Sequence, residues 1–189
     1  FLNSSNLISA RANEWYDGMV EYSKLEDLAD SLANENAIVL GADTAKRWMA
    51  SKNLDPKMLE YLFLGITVGQ HYVFYGSTWA AHLLGAGHIP GVTLMQACST
   101  STTCIFQAAT FIETGMAANT FVLTTDRTSN GPHTIWPNPN GPGGEVISEN
   151  WLMDNFNSDP NVGLRMVETA ENVAKEGGIT KEQCDALAL

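Results

Sequence analysis

Val92-Thr-Leu-Met-Gln96, then Cys98-Ser-Thr-Ser-Thr-Thr-Cys104 running on to Thr114, then Thr120-Phe-Val-Leu-Thr-Thr125 give the clearest structural unit of the chain. The outer pieces are short and rich in β-branched and apolar residues, as strands require. The middle piece has a helical period. Ile105, Ala108, Ala109, Ile112 and Met116 fall at i, i+3, i+4, i+7 and i+11, one apolar stripe expected to be the buried face. Gly115 supplies the stop. Strand, helix and strand of these lengths make the crossover unit of a parallel sheet, with a right-handed connection expected.

Working outward toward the amino terminus, residues 25–51 read as mostly helical, with apolar positions at Leu25, Leu28, Ala29 and Leu32 and again at Val39, Leu40, Ala42, Ala45 and Trp48. Asn53-Leu-Asp-Pro56 ends that pattern, because Pro56 cannot continue a helix and restricts Asp55. Tyr61-Leu-Phe-Leu-Gly-Ile-Thr67 is a compact apolar run, expected to be a buried strand. Residues 77–84 read as a helix closed by Gly85 and Gly87, and His88-Ile-Pro-Gly91 as a turn.

Toward the carboxy terminus the composition changes. Ser129-Asn-Gly-Pro-His133 and Trp136-Pro-Asn-Pro-Asn-Gly-Pro-Gly-Gly144 are too dense in turn residues for a sheet core, so residues 126–160 are expected to form a surface excursion. Two helices follow, over roughly 162–176 and from Thr180 onward, where Gln183 completes a capping box. The expected organisation is an α/β core over 1–126 and a loop subdomain with helices over 127–189.

The composition bounds the function. Of 189 residues, 44% are hydrophobic and 16% charged, enough apolar material for one sizeable core. A net charge of −11, with the ten Lys and Arg residues scattered, argues against nucleic acid as a partner. No apolar run approaches the roughly 18 residues a membrane helix needs, so no membrane association is expected. No secretory signal is visible, and three cysteines at irregular spacing do not suggest a disulfide framework. The cytoplasm is the expected compartment.

Cys98 is the candidate nucleophile. It sits where a strand meets a helix, a place where unpaired amide N–H groups and the positive end of the helix dipole stabilise negative charge. Ala97 and Ser99-Thr-Ser-Thr-Thr103 around it are small, leaving room for a substrate, and the Cys98 amide is placed to donate to an oxyanion. The same position also suits a small buried residue, a common role for free cysteine. Cys104 lies farther along the same helix without zinc-ligand spacing and reads as core; Cys184 reads as incidental. His71, His82, His88 and His133 form no metal pattern, and no metal is expected. Gly141-Pro-Gly-Gly144 lacks the Lys-Ser/Thr tail of a phosphate-binding loop.

Taken together, these motifs resemble the thiolase family. The order strand, cysteine, helix with a Glu113-Thr-Gly115 stop, strand and long loop is matched, and so is Thr169-Ala-Glu-Asn-Val-Ala174 with Gly178-Ile-Thr-Lys-Glu-Gln183 beyond it. Leu7-Ile-Ser-Ala-Arg11 is similar to the first thiolase strand; Leu40-Gly-Ala-Asp-Thr-Ala45, Leu54-Asp-Pro56 and Leu62-Phe-Leu-Gly65 resemble later elements. The pattern departs at Met95, where the family has Asn, at Ser101, where it has Gly, at Thr124-Thr-Asp-Arg-Thr128 and at Val167.

The resemblance implies a thiolase-like fold: a mixed, mostly parallel sheet with helices on both faces, one half of an αβαβα sandwich, plus a loop subdomain. It implies an acyltransferase that forms or cleaves 3-oxoacyl-CoA through an acyl group on Cys98. Arg165 and Met166 match positions that line the pantetheine channel. A coenzyme A thioester enters as substrate and no cofactor is held permanently. The expected assembly is a homodimer or homotetramer.

The family's activating His, its Asn-held water and its second Cys belong to a carboxy-terminal half that these 189 residues do not include. Negligible activity is therefore expected of this chain alone, and a chain supplying that half is an expected partner. Ala97-Cys-Ser-Thr-Ser101 also resembles the nucleophile turn of ketoacyl synthases, which lack the Thr169 to Ala174 motif. A catalytically silent thiolase-like subunit that binds acyl-CoA is the third reading.

Overall fold

The computed structural model describes residues 34–128, 131–138, 140 and 143–188. The strand expected at 7–11 and the first part of the helix expected over 25–51 lie outside these residues. The chain divides into two compact units between residues 130 and 131.

The first unit is built on three parallel strands: β1 (Tyr61–Gly65), β2 (Gly91–Leu94) and β3 (Thr120–Thr124). Their order is β2-β1-β3, so the strands on either side of the crossover helix are not neighbours; β1 lies between them. Leu62 pairs with Gly91 on one side and Phe121 on the other. Side chains alternate across the sheet with the strand period of two. Leu62 and Leu64 point to one face with Phe121 and Leu123. There they meet Ile38, Ala42, Ala45 and Met49 of α1 (Ala37–Ser51) and Ala80, Ala81 and Leu84 of α2 (Gly76–Leu84). Phe63 points to the other face, against Cys104 and Ala108 of α3 (Thr100–Glu113), with Val92, Leu94, Val122 and Phe111 around it. The Phe63 and Phe111 rings meet edge-on at 5.0 Å. Phe63, Leu62 and Leu64 are fully buried, each contributing about 1.5–3 kcal/mol of transfer free energy. Helices therefore cover both faces of the sheet, as expected.

In the first unit the local structure departs from the expected bounds in several places. Helix α1 starts at Ala37 because the Asn36 side chain accepts the Ile38 and Val39 amides, a cap that leaves 34–36 outside the helix. Strand β2 ends at Leu94, and Met95 and Gln96 leave the sheet. The helix expected from Cys98 begins at Thr100, after a tighter 3-10 turn over Ala97–Ser99. Of the apolar stripe only Ala108 is buried, and Ala109 is half-buried. Ile105, Ile112 and Met116 are 43%, 50% and 60% exposed, whereas Thr100, Cys104 and Ala108 face the sheet. The reason is close approach: a Cβ on Gly65 would stand 2.9 Å from both Thr100 Cγ2 and Cys104 Sγ. Only small side chains fit between helix and strand at that spacing.

The second unit contains an antiparallel hairpin, β4 (His133–Trp136) with β5 (Ile147–Asn150), and three helices, α4 (Trp151–Asn157), α5 (Met166–Gly177) and α6 (Lys181–Ala188). The hairpin and α4 lie inside the segment expected to be a surface excursion, and the hairpin is separate from the three-stranded sheet. Trp136 Nε1 donates to Glu149 across the hairpin at 2.7 Å. Helix α5 starts later than expected because Asp159 holds residues 161–163 in a turn, its carboxylate accepting the Asn161 and Val162 amides and its carbonyl the Gly163 amide. Thr180 and Gln183 form the expected reciprocal cap of α6. No described residue of this unit is buried. Among the described residues no helix is long and apolar enough to cross a membrane.

Candidate active site

The carboxyl ends of the three parallel strands open onto one edge, the place where ligands bind in open α/β sheets. Pairing runs on just past the strands, with the Ile66 amide bonded to Leu94 O and the Thr125 amide to Gly65 O, both at 3.1 Å. Each strand then delivers a polar residue to this edge: Thr67 after β1, Cys98 after β2 and Asp126 after β3. The Asp126 carboxylate accepts the Thr67 amide at 2.9 and 3.0 Å and the Val68 amide at 2.7 Å. A charge-assisted bond of this kind ties the exit of β1 to the exit of β3.

Cys98 is a free, exposed thiol on the Ala97–Ser99 turn. The turn closes through the Ser99 amide to Gln96 O at 3.0 Å and the Thr100 amide to Ala97 O. Ala97, immediately before the cysteine, has φ +44°, a conformation rarely adopted by residues with a side chain. Buried Thr100 stands behind it: its hydroxyl accepts the Gln96 amide at 2.8 Å and donates to Ala97 O at 2.7 Å. The Thr67 hydroxyl also donates to Ala97 O, at 3.2 Å, and Thr103 donates to the Gln96 side chain. A thiol so presented, with small neighbours and an adjacent backbone amide, has the parts of a nucleophile in acyl transfer.

Cys104 is fully buried against Phe63, and desolvation pushes its thiol above the ordinary range. Cys184 is free and exposed on α6. All four histidines are exposed, and among the described residues no three His, Cys, Asp or Glu side chains gather to hold a metal. Arg165 and Met166 belong to the second unit, where Arg165 is the residue before α5. Its guanidinium donates to Glu168 at 2.9 Å, and its amide donates to the same carboxylate at 2.9 Å. The hydrogen bonds from Arg165 hold the Glu168 carboxyl below the ordinary carboxylate range, and Glu168 raises the guanidinium in return.

Sequence reading missed Thr67, Thr100 and Asp126. Thr67 and Asp126 lie two residues beyond β1 and β3, a signal usable only once the strand order is known, and Thr100 lies two residues after Cys98 among the small residues read only as leaving room for a substrate. The recess lined by Tyr72, Tyr75, Thr78 and Trp79, at the start of α2, does not include Cys98.

The family model described as the thiolase amino-terminal domain matches residues 22–189. No curated protein matches the chain. Among solved structures, human mitochondrial 3-ketoacyl-CoA thiolase in complex with CoA is similar, with a TM-score of 0.68 at 22% identity over 83% of this chain. The acetyl-CoA acetyltransferase of Bacillus anthracis is similar with a TM-score of 0.63 at 22% identity over 80% of this chain. These likenesses concern the fold. The chain spans 40% of the first structure and 39% of the second.

Proposed function

Because the chain belongs to the thiolase family, we propose that it supplies the acyl-accepting part of an enzyme that forms or cleaves 3-oxoacyl-CoA thioesters, with Cys98 as the nucleophile. The observation that carries this reading is the exposed Cys98 thiol on a constrained turn at the carboxyl edge of the parallel sheet.

In the proposed reaction the Cys98 sulfur, as thiolate, attacks the thioester carbonyl of an acyl-CoA. A carbon–sulfur bond forms, and the carbonyl electron pair moves to an oxyanion that accepts a hydrogen bond from the Cys98 amide. The oxyanion collapses, coenzyme A leaves as its thiolate and takes up a proton, and the acyl group remains on Cys98. A second acyl-CoA then gives up its C2 proton, which balances the one taken up by coenzyme A; the resulting carbanion attacks the acyl carbonyl, and the carbon–sulfur bond breaks to give the 3-oxoacyl product and the Cys98 thiolate. In the reverse direction Cys98 attacks the 3-oxo carbon and the C2–C3 bond breaks; its electron pair stays on C2, which takes up a proton to leave as acyl-CoA, and coenzyme A, giving up its thiol proton, then takes the acyl group and frees Cys98 as thiolate. Arg165 and Met166 are assigned to the pantetheine channel. Glu168 fixes the orientation of Arg165 and offsets part of its charge.

This reading takes coenzyme A thioesters as substrates and assigns no permanently bound cofactor. It divides the chain into a catalytic core over 1–126 and a loop subdomain over 127–189. It also carries a homodimer or homotetramer, a partner segment that completes the site, and the cytoplasm, whose reducing conditions suit three free cysteines. Met95 and Ser101, which depart from the family pattern on either side of Cys98, favour a second reading, a silent subunit that binds acyl-CoA. Iodoacetamide treatment of the complete protein at neutral pH separates the two. Alkylation of Cys98 that prior acyl-CoA blocks supports the enzyme; a Cys98 that stays unmodified supports the silent subunit.

A further inference from the structure

We infer that Thr100 and Thr67 are positioning residues for acyl transfer at Cys98, acting through one peptide plane. The inference rests on the reading of Cys98 as acyl acceptor. The Ala97–Cys98 peptide is trans, so the Cys98 N–H points opposite to the Ala97 carbonyl within that plane. Whatever holds the carbonyl oxygen therefore aims the amide.

That oxygen is held from several sides. It accepts the Thr100 hydroxyl at 2.7 Å, the Thr67 hydroxyl at 3.2 Å and the Thr100 amide. The two hydroxyl oxygens are 3.3 Å apart. Thr100 spends its one hydroxyl proton on Ala97 O and accepts the Gln96 amide at 2.8 Å, so it grips both sides of the strained Ala97. At 5% exposure it is shielded from competing water. Thr67 is fixed in turn, its amide bonded to the Asp126 carboxylate. The strained φ of Ala97 is thus maintained by groups from two strand exits and the first turn of α3, which is how such backbone persists.

A clamp that aims an oxyanion donor makes a prediction that a merely structural threonine does not. Acylation by a thioester passes through an oxyanion, whereas alkylation by iodoacetamide displaces iodide without one. The test uses the complete protein and compares Thr100→Val, Thr67→Val and Thr100→Ser with the unchanged protein. Acetyl-Cys98 formation from acetyl-CoA and Cys98 alkylation by iodoacetamide are both followed by mass spectrometry at neutral pH. Removing either hydroxyl is expected to slow acetylation about 10- to 100-fold, with alkylation changed less than about threefold, and Thr100→Ser is expected to restore acetylation. Should Thr100→Val fail to fold, half-buried Thr67→Val carries the test. Acetylation unchanged in folded valine variants, or acetylation and alkylation falling in parallel, overturns the clamp. An unchanged protein that acetyl-CoA never acetylates overturns instead the reading of Cys98 on which the clamp depends.

Discussion

Gly65 and Thr100 approach so closely that a Cβ on Gly65 would stand 2.9 Å from the Thr100 methyl group. The same atom would be 2.9 Å from Cys104 Sγ and from Thr124 Cγ2, so no direction of relief is open. Gly65→Ala is therefore expected to destabilise the protein by about 1–3 kcal/mol, despite alanine's lower entropy cost in a strand. A urea midpoint equal to or above that of the unchanged protein refutes the contact.

Asp126 is the bracket between two strand exits. Asp126→Ala leaves the Thr67 and Val68 amides without their acceptor, and because the carboxylate is exposed the expected loss is modest, about 1 kcal/mol. The larger expected effect is local: faster hydrogen exchange at the Thr67 and Val68 amides than in the unchanged protein. Equal exchange at both would show that the carboxylate does not hold this loop.

The three thiols are expected to react in two classes. Cys98 and Cys184 are exposed and Cys104 is buried, so neutral iodoacetamide should mark the first two and spare Cys104 until urea unfolds the first unit. Because burial raises the Cys104 thiol, its contribution to stability is intact below the ordinary thiol range, about pH 8.5. It is lost as the pH climbs through the raised value. Peptide mapping that finds native Cys104 modified as fast as Cys98 contradicts this packing.

The start of α5 is expected to be sensitive to acid. Glu168 is held low by the Arg165 guanidinium and amide, so its stabilising contribution is present above the ordinary carboxylate range, about pH 4.3. It fades as the pH falls through the lowered value. The Thr169 amide, bonded to Arg165 O at 3.0 Å, reports it: protection should drop at low pH in the unchanged protein and be weak at all pH values in Glu168→Gln. Identical profiles for the two proteins would remove Glu168 from the cap.

The strands were legible because β1 is buried on both faces and so reads as an unbroken apolar run, Tyr61-Leu-Phe-Leu. The face of α3 was not. Hydrophobic periodicity follows bulk and selects Ile105, Ile112 and Met116 along with Ala108, of which only Ala108 is buried, whereas a glycine on the opposing strand brings in the small residues Thr100 and Cys104. The hairpin of the second unit was masked by its proline- and glycine-rich connection and by the polar Ser148-Glu-Asn150 in β5. At the candidate site, the place of Cys98 between β2 and α3 was legible from the sequence. Thr67 and Asp126 were not, because the bond that unites them crosses from β1 to β3, and the strand order that brings those strands together is written in no local motif.

The central place of β1 has a consequence for the newborn chain. Leu62 must wait first for Gly91 and then for Phe121 before both its edges are paired. During synthesis a short, uncharged and strongly apolar segment therefore emerges well ahead of its partners. Until β3 follows, that segment is a ready template for pairing with another unfinished chain.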